Sequence, residues 1–237
     1  MAKKKLINVT KASIVRVATE KFLRDGFTTT TVKNISDELG ISTGHVTFYY
    51  PSKVHLLAVL VDMLCKFQWN RVVGYNGNYE ENLAASSLEL TAMAALCEEN
   101  EVARDFYLSA YSNAMTVDII RRNDYQRGQT LFTRYCPDWT ETMFAEAELL
   151  VSGIEYATLM ATESSPPLEV RIRGGLDQIY RIYNIPDDLR KQLIDNALQQ
   201  DYHSIGRQIF NEFIAYIKHE NEQTLETLLN MKQGAKK

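Results

Sequence analysis

Apolar positions recur at helical spacing along almost the whole chain, and the interruptions between them are short. Ile14, Val15, Ala18 and Phe22 share one stripe and predict a helix over about residues 10–24. Gly26 ends it, and Phe27 is placed to pack beneath the next two helices. Val32, Ile35 and Leu39 predict a short second helix, and the Thr run before it supplies side-chain oxygens for its free N–H groups. Gly40 stands directly after Leu39, where a left-handed residue ends a helix without a Cβ clash. Ile41 returns the chain to the core, and Ser42 is a natural cap for a third helix through His45, Val46 and Tyr49. That helix keeps mainly Val46 and Tyr49 for packing. Its other positions, Thr43, Gly44, His45, Thr47 and Phe48, face outward as small, hydrogen-bonding or aromatic groups. Pro51 stops it, because the residue before a proline is pushed out of the α region. Ser52 then caps a fourth helix to about residue 73, apolar around so much of its circumference that most sides must be covered.

The rest of the chain continues in the same period. A turn cluster, GYNGNY, occupies 74–79, and helices are expected near 80–98, 101–114 and 117–135, the last broken around Gly128. Pro137 and Asp138 open a helix reaching Leu159, and Ser164, Ser165, Pro166 and Pro167 form the clearest interior linker. A helix over 168–183 is weakened at its start by Gly174 and Gly175, and Pro186 opens the next. The last spans about 204–231, with Ile205, Ile209, Phe213, Ile217, Leu225, Leu228 and Leu229 on one stripe. With few Gly and Pro and no alternating runs, the chain reads as all-α.

Charge changes this picture more than composition does. The formal net charge is −4, but residues 1–55 hold nine Lys/Arg against four Asp/Glu, a net +5, which leaves −9 for the remainder. A basic head on an acidic body suits a head that meets a polyanion. Lys3, Lys4 and Lys5 directly precede the first helix and read either as DNA-backbone contacts or as a solvated tail; Lys236 and Lys237 read as a solvated tail. No run reaches the ~18 apolar residues of a membrane span, and the basic N-terminus lacks the apolar core of a secretory signal. Cys65, Cys97 and Cys136 are odd in number and widely spaced, which fits a reducing, cytoplasmic setting rather than a disulfide framework.

The stretches FLRDGF (22–27), Thr30-Thr31-Val32 with Ile35, LGIS (39–42) with Gly44, and YYPSK (49–53) together resemble the N-terminal domain of TetR/AcrR-type transcriptional regulators, over roughly residues 10–60. Three positions depart from that family: Thr43 stands for a cation, Thr47 for a tyrosine, and His55 for the acid that would complete a capping box with Ser52. The resemblance implies a three-helix helix-turn-helix DNA-binding domain over 1–52, followed by a helical effector-binding and dimerisation domain over 53–237. It also implies a second helix of the motif lying in the DNA major groove.

Phosphate contacts dominate such affinity and make it fall with salt. Lys53 is the first candidate, at the start of the fourth helix beside free N–H groups. Thr31 and Ser42 read both as helix caps and as phosphate donors. Thr43, His45 and Thr47 are placed to hydrogen-bond base edges, and Phe48 to touch a thymine methyl. Gly44 allows close approach of the backbone, and Tyr49 reads as structural. One head contacts few phosphates, so a homodimer on a palindromic operator is expected, with the Trp139–Leu159 region and the C-terminal helix as its seam. The resemblance implies a small-molecule pocket in the body, for which Trp69, Phe106, Tyr107, Tyr111, Phe132, Tyr135 and Trp139 are the aromatic candidates; the same residues also read as plain core. The expected function is a repressor relieved by a ligand. The alternative is a helical interaction module whose head does not bind DNA. Four scattered His, no metal-ligand spacing, no Gly-rich phosphate loop and no nucleophile elbow argue against an enzyme, a bound metal or a cofactor.

Overall fold

The computed structural model describes residues 2–73 and 79–233, with side chains described over 10–71 and 79–230. Among the described residues the fold is all-α: α1 (Ala2–Asp25), α2 (Val32–Leu39), α3 (Thr43–Tyr49), α4 (Lys53–Val73), α5 (Tyr79–Glu99), α6 (Glu101–Ser112), α7 (Ala114–Phe132), α8 (Glu141–Leu159), α9 (Leu168–Ile182), α10 (Asp187–Leu198) and α11 (Tyr202–Gln233). The expected turn cluster, apart from Tyr79, lies outside the described residues, as do the side chains of Lys3, Lys4, Lys5, Lys236 and Lys237.

The head, α1 to α3, is built from local chemistry. Thr31 caps α2: its Oγ1 accepts from the Asn34 N–H at 3.1 Å, and its own N–H donates to Asn34 Oδ1 at 2.9 Å. An asparagine thus closes the reciprocal box usually made by Glu or Gln. Gly40 takes φ 63°, ψ 31°, the left-handed conformation that costs an L-residue 1–2 kcal/mol or so by Cβ crowding. Its neighbour Ile41 donates to Ser36 O at 3.0 Å, which turns the chain sharply into α3. Ile14, Val17, Ala18, Phe22, Ile35 and Val46 are buried and hold the three helices together. Val15, expected on that stripe, is only half-buried, and Val17 takes the interior position.

In the body α5 runs through the middle, and every residue from Thr91 to Cys97 is buried. It packs against α4 and against each of α6 to α11. Three expectations are corrected. Helix α7 is unbroken at Gly128, whose missing Cβ would sit 2.9 Å from the Tyr183 hydroxyl; the glycine serves close packing rather than a break. Helix α8 starts at Glu141 under a Thr140 cap, after the turn that Pro137 and Asp138 make. Gly174 and Gly175 do not weaken α9; Gly175 admits the Thr158 hydroxyl of α8 into the space a Cβ would need. Helix α11 lies along α1 and α5, spending Phe210, Phe213 and Ile217 inside its own chain, and buried Asn221 donates to Thr19 of α1 at 3.0 Å.

Candidate nucleic-acid interface and body cavity

Helix α3 turns one residue inward and most of the others outward. Val46 is fully buried, whereas Thr43, Gly44, His45, Thr47 and Phe48 are exposed. Phe48 is 78 % exposed, an unusual position for a phenylalanine with no covering element. It meets only the edge of Tyr49, at 5.0 Å between ring centroids. Ser42 accepts from the His45 N–H at 3.2 Å, so the start of α3 is capped from within. The Thr47 hydroxyl donates back to Thr43 O or Gly44 O, at 3.2 and 3.3 Å, leaving its lone pairs directed away from the helix. Tyr49 is half-buried, with the Lys11 ammonium over its ring at 5.7 Å. Thr31 and Ser42 are exposed, so their unused lone pairs face solvent at two helix starts. The exposed groups of α3 are thus small, hydrogen-bonding or aromatic, with no Lys or Arg among them.

Lys53 departs from the expected arrangement. Its ammonium does not point outward. It donates to Phe27 O at 2.6 Å, Thr30 O at 2.9 Å and Thr28 O at 3.3 Å, and lies 4.2 Å from the Phe27 ring centroid. All three donors of the amine are therefore taken by the turn between α1 and α2. Burial lowers its pKa, with Asp105 opposing that shift. The expectation that Lys53 is a phosphate cation is thus replaced, on geometry, by a clamp that fixes the turn ahead of α2. Only the backbone N–H groups at the start of α4 remain for an anion. Beside it, the Ser52 hydroxyl meets His55 Nδ1 at 2.9 Å, a contact between side chains and not the reciprocal backbone bond that an acid would make there.

The same turn ties the head to the body. Asp105 of α6 accepts from the Thr28 N–H at 2.8 Å and from its hydroxyl. Six residues further along α6, the Tyr111 hydroxyl donates to Glu155 of α8 at 2.9 Å. That second contact lies in a cavity of about 80 Å³ between α4, α5, α6, α7, α8 and α9. Its walls include Leu64, Leu90, Ile120, Phe132, Val151 and Tyr183, but also Glu89, Asp124, Arg127, Glu148 and Glu155. Arg127 pairs with Glu89, both side chains being nearly enclosed. Burial, reinforced by Asp124 and Glu155, pushes the Glu148 carboxyl up to about 10. Burial and Asp124 raise Glu155 to about 8, and burial with Glu89 raises Asp124 to about 6 against the pull of Arg127. A second space of about 490 Å³, lined by Trp69, Asn70, Asn123, Tyr216 and Glu220, shares Cys65, Asp124 and Arg127 with the first.

Of the aromatic candidates, Tyr111 and Phe132 line the inner cavity and Trp69 the outer one. The other four line neither. Phe106 and Tyr107 are fully packed core, Phe106 lying 5.9 Å from the Phe213 ring. Tyr135 lies tilted against Tyr79, and Trp139 packs on Phe144 and Tyr183. The charged lining was missed by reading aromatic content alone. Its signal was present: Glu148 falls on the stripe of Phe144, Val151 and Leu159, where an acid is out of place.

Residues 14–60 match the family model for bacterial regulatory proteins of the tetR family. The chain carries the TetR-family DNA-binding head. The match begins inside α1, spans the helix-turn-helix and ends in α4, so the cavity lies outside it. No curated protein shows a significant match to this chain, and no solved structure does. The match supports a TetR-family DNA-binding transcriptional regulator, and the described residues form eleven helices with no strand among them. Among those residues no helix is long and apolar enough to cross a membrane, and no three His, Cys, Asp or Glu side chains are grouped to hold a metal ion.

Proposed function

We propose that the protein is a dimeric repressor, acting on a palindromic operator in the cytoplasm and released by a small molecule bound in the body. The observation that carries this reading is the continuous path from cavity to head: Glu155, Tyr111, helix α6, Asp105 and the Thr28 turn that precedes α2. A ligand that changes the Tyr111–Glu155 contact acts on the same helix that holds the head in place. It shifts the head only by its difference in affinity for the two arrangements.

In this reading Thr43, Gly44, His45, Thr47 and Phe48 meet the bases, and Thr31, Ser42 and the start of α4 meet phosphates. A second copy of the chain is the occupant we assign to the outer face of α8. There Leu149 and Leu150 are each about half exposed and Gly153 and Ala157 leave room for close approach; Val170 of α9, also exposed, adds apolar surface. Much of the apolar stripe of α11, expected to share the seam, is already used against α1 and α5.

Selection from a random duplex pool, followed by titration of the selected site, tests the DNA assignment. His45→Ala and Phe48→Ala should each reduce the preference for that site over a scrambled duplex by roughly tenfold or more, the worth of one good base contact, without lowering the melting temperature. Unchanged preference in both variants would remove α3 as the reading helix. A protein with no salt-sensitive duplex affinity at all would remove the function.

A further inference from the structure

The cavity has more carboxyl groups than its surroundings pair. Arg127 is matched by Glu89, which leaves Asp124, Glu148 and Glu155 without an ion-pair partner among the described residues. Glu155 receives one hydrogen bond, from Tyr111. Glu148 is 3 % exposed, and its Oε1 has no hydrogen-bond partner at all. A buried acceptor left unmade is costly, and a protein interior rarely tolerates one without a purpose. Glu148 also sits beside Leu149 and Leu150, which face solvent, so α8 turns its acid inward and its leucines outward.

We propose that the inner cavity binds a small organic cation, a protonated amine or amidine with an apolar side, its charge held by Glu148, Glu155 and Asp124. This rests on the reading that the body is a ligand-binding unit and names the ligand class. The lining supplies both halves of such a molecule's recognition. Carboxylates from α7 and α8 meet the charge, while Leu64, Ile120, Phe132 and Val151 meet the carbon skeleton. The carboxyls are not grouped for a metal ion, which favours a larger, softer charge over a bare one. At roughly 10–15 Å³ for each water-sized position, about 80 Å³ suits a ligand of only several heavy atoms. The outer space lies across the shared Cys65, Asp124 and Arg127 and adds the aromatic faces of Trp69 and Tyr216 and the acid of Glu220.

Protons occupy the site when the cation does not. The groups facing the three carboxyls are Glu89, Arg127, Tyr111, Tyr180, Tyr183 and Cys65 around the cavity, with Arg121 reaching Ser152 nearby. Burial pushes the tyrosines and Cys65 further up, so they stay neutral, and Arg127 stays charged. Protons released on binding near neutral pH therefore come from Glu148 and Glu155, since Asp124, raised only to about 6, is already largely ionised there.

The test is calorimetric titration of the full chain, without DNA, at pH 7.5 in two buffers of different ionisation enthalpy. The titrants are propylammonium, 1,4-butanediammonium, benzylammonium and benzamidinium, with propanol, butanediol, benzyl alcohol and benzamide as neutral counterparts. At least one cation should bind at least tenfold more tightly than its neutral counterpart and release protons. Glu148→Gln and Glu155→Gln should each weaken it tenfold or more, with the variants shown folded by their melting curves. Binding of no cation, equal binding of a neutral counterpart, or unaltered affinity in both variants would overturn the assignment. Because no DNA is present, cation binding that fails to release an operator would sink the repressor mechanism while leaving the cavity assignment standing.

Discussion

Replacing Lys53 by methionine separates two roles for the best-placed cation at the end of the head. The ammonium donates to three carbonyls, at 2.6, 2.9 and 3.3 Å, and lies over Phe27 at 4.2 Å. A hydrogen bond to a charged group contributes about 1.5–3 kcal/mol, and a partly exposed cation–π contact about 0.5–1 kcal/mol. The side chain is only partly buried, so water replaces some of what is lost, and methionine keeps the apolar stem in place. The net loss expected is about 2–4 kcal/mol. At 2–4 °C or so per kcal/mol for a chain of this size, the melting temperature should fall by roughly 4–16 °C. Operator affinity should fall as well, because the turn that positions α2 loosens. The slope of log affinity against log salt should not change. A phosphate contact predicts the reverse: little effect on melting, and a slope shallower by about 0.9 for each head. Scanning calorimetry without DNA and a salt titration with it decide the matter. An unchanged melting temperature with a shallower slope would refute the clamp.

Three further outcomes rest on the same geometry. The folded pKa values of Asp124, Glu148 and Glu155 are raised, to about 6, 10 and 8, so the folded chain keeps protons that the unfolded chain releases; their stabilising effect is complete below the unfolded values near ~4 and is lost as pH rises through the folded ones. Thermal melts of the ligand-free protein should accordingly drop between pH 5 and pH 9, and Glu148→Gln should flatten that drop; a variant with an unchanged pH profile would count against the buried acid. Asp105→Ala should cost only about 1–2 kcal/mol, yet it should reduce the effect of a cavity ligand on operator affinity, measured by anisotropy with and without ligand. Leu149→Asp together with Leu150→Asp should give a monomer in sedimentation with its helix content intact, whereas an unaltered dimer would place the seam elsewhere.

The head was legible because its determinants are local. Thr31, Gly40, Ser42 and Pro51 each act within four residues of themselves, so spacing alone located α2 and α3. Val46 against its polar and small neighbours already marked which side of α3 is buried and which is exposed. Lys53 was legible as a cation but not as a clamp, because its carbonyl partners lie 23 to 26 residues upstream and depend on how α4 meets the turn. The cavity was hidden for the same kind of reason. Glu89, Asp124 and Glu155 sit on three different helices, and each alone resembles an ordinary solvated acid. Aromatic content pointed to the wrong place, since Phe106 and Tyr107 fill the core where α6 meets α11. Gly128 and Gly175 misled for a related reason: what they accommodate, Tyr183 and Thr158, comes from other helices.

Helix α6 makes the two proposals one mechanism. Asp105 and Tyr111 are six residues apart, which at a rise of about 1.5 Å places them some 9 Å apart along a single rigid rod. Tyr111 holds Glu155 at one end, and Asp105 holds the Thr28 turn at the other. A cation that draws Glu155 toward its own charge competes with the tyrosine for that carboxylate. The rod then loses its anchor on α8 while keeping its grip on the head. Coupling of this kind is commonly worth 1–3 kcal/mol or so, a change in operator affinity of about 5- to 150-fold. Linkage is reciprocal, so bound operator must weaken the cation by the same factor. Titrating the cation into the protein–operator complex measures that factor directly, and Tyr111→Phe, which removes the contested hydrogen bond but keeps the ring, should reduce it. A variant with the full factor would show that the signal leaves the cavity by a contact other than the one between Tyr111 and Glu155.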